Sequence, residues 1–368
     1  MRRCLVFAVL LLFAGLLTQR PLCGEEKPLV RFAFGSCCKQ DKPTPIWEAI
    51  IEQHPEFFVF LGDNIYGDTE DMEVLRAKYA QLGAQPGYQK LTALCPIYAT
   101  WDDHDFGVND GGADYPRKRE SQQVFLDFFR APPDDIRRQR AGVYSSHVWG
   151  PPGRRVQLIL LDVRYFRSPL RTGFQPGEPG DGYRGKYLPN TDPQATVLGE
   201  EQWRWLAEQL RVPAELRFIG TGVQVVTCEH GSEMWANFPH ERERLLRTIR
   251  EARAQGVILL TGDRHLAEIS RLPADDPLSV GYPLFDVTSS SLNTPSGNLT
   301  KAGIRFANEI NRYRVGLTYF DTNFGQVEID WERPDPEVRV QVRDERGGVV
   351  LQQRVTVGQL RAGRDAAR

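Results

Sequence analysis

Residues 57–66 read FFVFLGDNIY, in which five apolar residues are followed at once by Gly62, Asp63 and Asn64. The apolar run has the length and composition of a buried strand, and the Gly-Asp pair marks its end. The same order of apolar run and polar cluster recurs at residues 29–34, 95–99, 156–161 and 257–260. Longer amphipathic stretches separate these runs. This alternation of strands and helices is typical of an α/β protein.

Two further apolar runs, at residues 216–220 and 284–287, predict additional buried strands. Helical periodicity is found at residues 45–53, 72–82, 117–130, 200–211 and 241–255. Three stretches near the C-terminus alternate apolar with polar residues, which predicts a terminal antiparallel hairpin that closes an edge of the sheet. These stretches are residues 326–331, 337–343 and 349–357.

Composition and charge restrict the class of protein. The chain has 368 residues, of which 41% are hydrophobic and 26% charged, so it can bury a sizeable core and is not intrinsically disordered. The formal net charge of -2 gives no basic field, and we expect no nucleic-acid binding surface. We predict one domain over residues 29–360 and a disordered tail at 361–368.

The N-terminus predicts export. Arg2 and Arg3 precede an apolar run at residues 4–17, which is shorter than the roughly 20 residues of a spanning helix and fits a secretory signal. We expect residues 1–24 to be removed and the protein to be secreted or periplasmic. The general secretory route is favoured over the twin-arginine route, which the Arg2-Arg3 pair leaves open. No later apolar run is long enough for a transmembrane segment in the mature chain.

The polar clusters at the strand ends predict a metal site. In open α/β folds the carboxyl ends of parallel strands meet at one edge, so these clusters should converge. Their carboxylates would repel one another unless cations compensate them. Carboxylate and amide oxygens suit hard cations, whereas thiolate, phenolate and imidazole suit a transition metal, so the mixed set indicates more than one ion. Paired metals are typical of phosphoester hydrolysis.

Five ordered motifs make the sequence similar to a known family. They are Gly35-Ser36-Cys37, Gly62-Asp63-Asn64-Ile65-Tyr66, Trp101-Asp102-Asp103-His104-Asp105 with Asn109, Leu161-Asp162-Val163-Arg164, and Gly262-Asp263-Arg264-His265. Together they resemble the alkaline phosphatase D (PhoD-like) branch of the calcineurin-like metallophosphoesterases. The resemblance implies a four-layer αββα sandwich of two mixed sheets flanked by helices. It also implies an exported hydrolase of phosphomonoesters, phosphodiesters or both, acting by attack of a metal-bound hydroxide.

The resemblance further implies the ligands of the metals. Cys37, Asp63 and Tyr66 would hold Fe³⁺, and Asp63 would bridge to Ca²⁺. The set would be completed by Asn109, Asp263 and His265, with Asp103 added although the wider superfamily often has Asn at its position. Mn²⁺, Mg²⁺ and Zn²⁺ remain alternatives. The disulfide state of Cys38, Cys95 and Cys228 stays open.

Four residues are expected to act on the substrate. His104, oriented by Asp105, would protonate the leaving alkoxide or stabilise the transition state. Arg164 would hold phosphate oxygens through a forked contact, and Trp235 would wall the pocket. The Gly- and Pro-rich residues 174–199 would form a surface loop that shapes specificity.

Two alternatives remain open. One is a phosphodiesterase specific for phospholipid headgroups or cell-wall polymers, which activity on bis-aryl against mono-aryl phosphates would distinguish. The other is a noncatalytic secreted module with a structural metal cluster, in which His104 and Arg164 would have no use. The oligomeric state and the natural substrate are not indicated by the sequence.

Overall fold

A computed structural model describes residues 27–173, 187–297, 306 and 309–363. The predicted signal segment and most of the predicted tail lie outside these residues, as do residues 174–186 of the predicted loop. The described part of the chain folds into two six-stranded mixed β-sheets with helices. None of its helices has the length and apolar character needed to cross a membrane.

The first sheet, sheet A, is built from both ends of the chain. Its strands, numbered in chain order, lie in the spatial order β14 (Val349–Thr356), β13 (Glu337–Asp344), β12 (Asn323–Asp330), β1 (Arg31–Gly35), β2 (Phe58–Leu61) and β3 (Ile97–Thr100). β1, β2 and β3 are parallel, and β12 joins β1 in the antiparallel sense. β13 and β14 form an antiparallel hairpin at the edge, as the alternating pattern predicts.

The second sheet, sheet B, comes from the middle of the chain. Its spatial order is β10 (Ala267–Leu272), β11 (Leu284–Ser289), β9 (Val257–Thr261), β8 (Leu216–Thr221), β5 (Val156–Leu160) and β4 (Ser145–Trp149). The four inner strands are parallel, and the outer strands β10 and β4 are antiparallel to their neighbours. A separate two-stranded pair consists of β6 (Arg171–Thr172) and β7 (Tyr187–Leu188).

The helices cover the outer faces of the two sheets. In chain order they are α1 (Ile46–Glu52), α2 (Met72–Ala84), α3 (Pro86–Leu94), α4 (Asp103–Phe106), α5 (Lys118–Phe128), α6 (Gly199–Gln209) and α7 (Pro239–Glu251). Buried side chains of α1, α2, α3 and α5 share a core with one face of sheet A, whereas those of α6 and α7 share a core with sheet B. Trp47 of α1, for example, packs on Phe58 and Phe60 of β2.

The inner faces of the two sheets pack against each other. Because side chains alternate along a strand, Phe58 and Phe60 face the helices while Val59 and Leu61 join the core shared with sheet B. Phe32 of β1 meets Phe218 of β8 across this layer, with ring centroids 4.9 Å apart. The order of layers is therefore helix, sheet, sheet, helix, and the predicted αββα architecture is confirmed.

All seven predicted buried strands are present, but β6, β7, β10, α3 and α4 were not predicted. β10 reads AEISRL and is an edge strand, so it lacks a continuous apolar run. α3 begins at Pro86-Gly87, a pair that indicates a turn, yet proline fits the first helical position because no helical donor is lost there. α7 ends at Glu251, four residues before the predicted end.

Candidate active site

The carboxyl ends of the parallel strands of both sheets meet at one rim. The chain leaves β1 toward Cys37, β2 toward Asp63, β3 toward Asp103 and β9 toward Asp263. A pocket of about 270 Å³ opens at this rim. Its lining includes the predicted site residues Asp103, His104, Asn109, Asp263 and His265. The predicted convergence of strand ends is therefore found.

One group of donor atoms contains sulfur, oxygen and nitrogen. Cys37, Asp63 and His265 each place one ligand atom within 4.8 Å of the others. The Cys37 Sγ atom lies 3.4 Å from Asp63 Oδ2, and the Tyr66 hydroxyl lies 3.3 Å from His265 Nε2. The structure thus brings together four of the predicted ligands in a set that suits a transition metal.

A second group consists mainly of carboxylates. Asp63 and Asp103 cluster with His104, and Asp103 also clusters with Asp102 and Asp263. Asp63 belongs to both groups. Its Oδ1 atom is buried and has no hydrogen-bond partner among the described residues, and the same holds for Asp102 Oδ2. Buried unpaired carboxylate oxygens are costly, and hard cations would satisfy them. The donor set therefore fits a pair of cations with Asp63 between them.

The backbone at the strand ends turns these side chains toward the rim. Cys37, Asp63, Asp263 and His265 have φ values of 58°, 49°, 67° and 55°. These values lie in the left-handed region, which costs a non-glycine residue on the order of 1 kcal/mol. Such conformations persist only where the surroundings enforce them, and they cluster at functional sites. Four of the predicted ligands therefore share one uncommon backbone state.

The electrostatics of the cluster favour cation binding. Burial, reinforced by Asp103 and the other nearby carboxylates, raises the pKa of Asp63 well above its ordinary value. Burial and then the charge of Asp103 raise the pKa of Asp263 to about 7. Burial also raises the pKa values of Cys37 and Tyr66. These shifts favour the protonated forms of the four groups, whereas a bound cation would favour their charged forms.

Asp103 is the exception among these carboxylates. Burial disfavours its charged form, but Arg164 and His104 outweigh that effect and hold the pKa of Asp103 below its ordinary value. Its two oxygens accept the backbone N–H groups of His104 at 2.9 Å and Asp110 at 2.6 Å. Asp103 is therefore a fixed negative charge beside Asp63.

His104 has a different carboxylate partner from the one predicted. Its Nδ1 atom lies 2.7 Å from Asp68 Oδ1, and its ring packs on Tyr66 with centroids 4.2 Å apart. Burial lowers the pKa of His104, but the hydrogen bond to Asp68 and the charge of Asp103 outweigh it and raise the pKa to about 9. Asp68, which the sequence analysis missed, follows the Gly62–Tyr66 motif in the same loop.

Asp105 makes no contact that orients His104; its carboxylate accepts backbone N–H groups of Asp63 at 3.1 Å and Asp102 at 2.8 Å. The amide of Asn64 donates to its other oxygen at 2.6 Å. Neighbouring residues of a helix point in different directions, so His104 and Asp105 of α4 face different surroundings. Asp105 is fully buried and ties the β2 and β3 loops together.

Arg164 is buried in an ion-pair network, contrary to its predicted role on phosphate. Its side chain is 0% exposed, with Nε 2.6 Å from Asp102 Oδ1. Its Nη1 atom lies 2.7 Å and 2.8 Å from the two oxygens of Glu233. Glu233 also lines the pocket and pairs with Arg167 at 3.2 Å. In the described conformation a substrate cannot reach the guanidinium of Arg164.

Trp235 differs from its predicted place, whereas Asn109 does line the pocket. Trp235 is buried in the core, where its Nε1 donates to Thr221 Oγ1 at 3.1 Å and its ring meets Trp203 edge to face. It does not line the pocket. Asn109 lies at the exposed rim of the pocket, and its amide donates to Asp110 Oδ2 at 2.7 Å.

A polar segment after β11 supports the first donor group and was missed by the sequence analysis. We call residues 289–294 (sequence SSSLNT) the serine-threonine segment. Ser290 Oγ contacts both Cys37 and His265, and Thr294 contacts Cys37, Tyr66 and His265. The signal was present, because a polar run directly follows an apolar strand here as it does after β2.

The cysteines of the described residues are free thiols. Cys37, Cys38 and Cys95 are buried and Cys228 is partly exposed. Cys38 lies next to Cys37 in sequence but belongs to the core between sheet A and its helices. Of the two adjacent cysteines, only Cys37 reaches the donor groups.

Comparison with known proteins agrees with this architecture. The sequence profile described as PhoD-like phosphatase matches residues 32–340. Alkaline phosphatase D of Bacillus subtilis (strain 168) is 24% identical over 324 residues, which cover 74% of this chain and 50% of the relative. The chain thus spans about half the length of this curated relative.

Two solved structures share the fold. A structure of PhoD superposes with a TM-score of 0.67 at 18% identity and covers 90% of this chain and 69% of that chain. A dimetal phosphatase from Danio rerio superposes with a TM-score of 0.52 at 13% identity and covers 90% of this chain and 100% of that chain. At these identities the likeness shows a common fold.

Proposed function

Because the chain belongs to the PhoD-like phosphatase family, we propose that it hydrolyses phosphoesters with the help of bound metal ions. The observation that carries this proposal is the position of Asp63. Its carboxylate belongs both to the sulfur-containing donor group and to the carboxylate group, and one of its buried oxygens has no protein partner within the described ranges. Asp63 would therefore help to hold both cations.

The two donor groups suit different cations. Cys37, Tyr66 and His265 would join Asp63 in holding a transition metal such as Fe³⁺. Asp103 and Asp263 would join Asp63 in holding a hard cation such as Ca²⁺. When bound, such ions supply Lewis-acid activation of water and neutralise charge on the phosphoryl oxygens. Mn²⁺, Mg²⁺ and Zn²⁺ are compatible with parts of the same set.

His104 would be the proton donor to the leaving group. Asp68 occupies its Nδ1 atom at 2.7 Å, which leaves Nε2 as the ring nitrogen available to a ligand in the pocket. A histidine held by a carboxylate keeps one orientation, and it is effective as a general acid when it is charged. Asp68, rather than Asp105, would be its positioning residue.

The charges around the pocket favour phosphodiesters over phosphomonoesters. Three arginines lie near the site and could neutralise a dianionic phosphate, but the structure pairs all of them. Arg164 bonds Asp102 and Glu233, Arg167 bonds Glu233, and Arg264 lies close to Glu309. All three are at most 3% exposed. Arg264 lines the pocket but is ion-paired with Glu309, and His104 lines it while held by Asp68, so among the described residues the second charge of a monoester gains little.

Export and a role on phospholipid headgroups or cell-wall polymers are parts of the proposal that rest on the sequence. The arginine pair and apolar run of residues 2–17 support a secretory signal. A pocket of about 270 Å³ is enough for a phosphate with its small substituents. Larger substrates would extend out of it over the rim that carries Asn109.

The experiment that tests the proposal combines metal analysis with hydrolysis. We expect purified protein to contain metal. We also expect its kcat/KM for bis-aryl phosphate to exceed that for mono-aryl phosphate by about tenfold or more. The reason is that the second charge of the monoester lacks a hydrogen-bond partner in the pocket, and a hydrogen bond to a charged group is worth about 1.5–3 kcal/mol. Chelator and the Asp63→Asn variant should each abolish hydrolysis. An Asp41→Asn variant, which changes an exposed aspartate, is the matched control. Metal-loaded protein without hydrolysis of either ester would contradict the proposal and favour a structural metal module.

A further inference from the structure

We propose that Ser290 is a positioning residue of the metal centre, acting by a hydrogen bond from its hydroxyl to the sulfur of Cys37. The inference rests on the proposed function, because it assumes that Cys37 is a metal ligand. Ser290 follows directly after β11 and is fully buried. Its Oγ atom lies 3.1 Å from Cys37 Sγ and 2.9 Å from the backbone nitrogen of His265.

The direction of these two hydrogen bonds follows from counting protons. A serine hydroxyl has one proton to donate and two lone pairs that accept. The backbone N–H of His265 can only donate, so Ser290 Oγ accepts that bond. The serine proton then remains for the second contact, and the second contact is Cys37 Sγ.

The sulfur of Cys37 can accept this bond whether or not it carries a proton. A thiol proton on Cys37 has another acceptor, Asp63 Oδ2, at 3.4 Å. A thiolate, the form that binds metal, has no proton and accepts the bond from Ser290. The bond from Ser290 is therefore retained when Cys37 is a ligand.

Ser290 also links two ligands that come from different sheets. Cys37 follows β1 of sheet A and His265 follows β9 of sheet B. One hydroxyl bonds the side chain of the first and the backbone of the second, so it sets the position of one relative to the other. Both residues have left-handed backbone angles, which neighbouring contacts have to enforce.

Thr294, four residues later in the serine-threonine segment, completes the support. Its hydroxyl donates to the Cys37 carbonyl at 2.8 Å. Its carbonyl accepts from His265 Nδ1 at 2.5 Å, which fixes the tautomer and leaves Nε2 for the metal group. Ser290 differs from Thr294 because its hydroxyl contacts the Cys37 sulfur, whereas the Thr294 hydroxyl contacts the Cys37 carbonyl and the Tyr66 hydroxyl. Removing the Ser290 hydroxyl therefore acts on the sulfur.

The consequence is measurable without any hydrolysis assay. A hydrogen bond to a ligating sulfur lowers the energy of its lone-pair electrons, so the thiolate-to-metal charge-transfer band lies at shorter wavelength. Loss of the bond should move the band to longer wavelength. Outer partners of metal ligands typically change metal affinity by about 10- to 100-fold when they are removed.

The experiment uses the full chain, stripped with chelator and titrated with Co²⁺ alone, with the near-ultraviolet band of cobalt bound to thiolate as readout. For Ser290→Ala we expect a shift to longer wavelength and about 10- to 100-fold weaker Co²⁺ binding. The matched control is Ser291→Ala, which removes the adjacent buried hydroxyl. Ser291 Oγ has no hydrogen-bond partner among the described residues, so this variant should match the wild type.

The isosteric pair Ser290→Thr and Ser290→Val gives the same contrast where the alanine variant does not fold. The threonine variant keeps a hydroxyl and should retain the wild-type band, whereas the valine variant should shift it. A Ser290→Ala protein with an unshifted band and Co²⁺ affinity within twofold of wild type would overturn the role of Ser290 and leave phosphoester hydrolysis standing. Wild-type protein that shows no cobalt-thiolate band at all would overturn the proposed metal centre together with it.

Discussion

Replacing Arg164 with methionine separates a structural role for this arginine from the phosphate-binding role that its sequence position indicates. Methionine keeps the length of the aliphatic stem but removes the guanidinium, which bonds Asp102 at 2.6 Å and Glu233 at 2.7 Å. If Arg164 has the structural role, the variant loses stability. If Arg164 binds phosphate, the variant loses substrate affinity instead.

The magnitude follows from the burial of the three partners. Arg164 and Asp102 are 0% exposed and Glu233 is 5% exposed, so solvent does not screen the charges that are left behind. Removing one member of a buried ion pair costs about 3–5 kcal/mol. The cost is that of one broken pair rather than two, because Arg167 still lies 3.2 Å from Glu233 and compensates its charge. Within the described ranges Asp102 has no such second cation, and its Oδ2 atom is unpaired.

The assay is urea unfolding of chelator-treated protein, so that bound cations do not offset the uncompensated carboxylates. We expect the free energy of unfolding of Arg164→Met to fall by about 3–5 kcal/mol. Adding Asp102→Asn should restore part of the loss, because it neutralises the uncompensated carboxylate. Arg211→Met, at an exposed arginine after α6, should change stability by no more than about 0.5 kcal/mol. An Arg164→Met protein of wild-type stability with a greatly raised KM would refute the reasoning.

Three other predictions test neighbouring parts of the structure. Trp235→Phe should lower stability by about 1–3 kcal/mol and leave KM unchanged, because its indole donates to Thr221 in the core; a raised KM at unchanged stability would place Trp235 in the pocket. Gly222→Ala should cost about 1–3 kcal/mol in thermal unfolding, since its Cβ would lie 2.3 Å from Asp102 Oδ1, whereas Gly363→Ala meets no atom within 4 Å and serves as the control. Burial lowers the pKa of His147 to about 4 from an ordinary 6.5, so the unfolded chain binds more protons between these pH values. Stability should therefore fall by up to about 3 kcal/mol as the pH drops from 6.5 to 4, and His147→Phe should flatten this part of the urea-unfolding profile; an unchanged slope would argue against it.

The strand-end rule explains why much of the candidate site could be predicted from the sequence. An apolar run followed by Gly-Asp, as at residues 57–63, predicts both a buried strand and a polar residue at its carboxyl end. Parallel strands place these ends at a common edge whatever the intervening helices do. This is why Cys37, Asp63, Asp103 and His265 could be grouped from residues that lie up to 228 positions apart. The same rule applied to β11 would also have found Ser290.

The partners of each side chain could not be predicted in the same way. Asp105 follows His104 directly in sequence, but consecutive residues of a helix point about 100° apart, so the carboxylate that meets His104 is Asp68, 36 residues earlier. The sequence predicts that Arg164 binds phosphate, but the fold places Glu233, 69 residues away in sequence, against its guanidinium.

By itself, the sequence determined the alternation of strands and helices and most of the residues at the rim, because both depend on local periodicity and on the residues directly after each strand. The four-layer order was implied by the family resemblance. Only the tertiary structure decided which of those residues face the pocket and which form buried ion pairs. The physical reason is that a charged group inside a protein must find a partner, and any element packed against it can supply one. The packing of the elements therefore makes Arg164 a buried counter-ion and Asp68 the partner of His104.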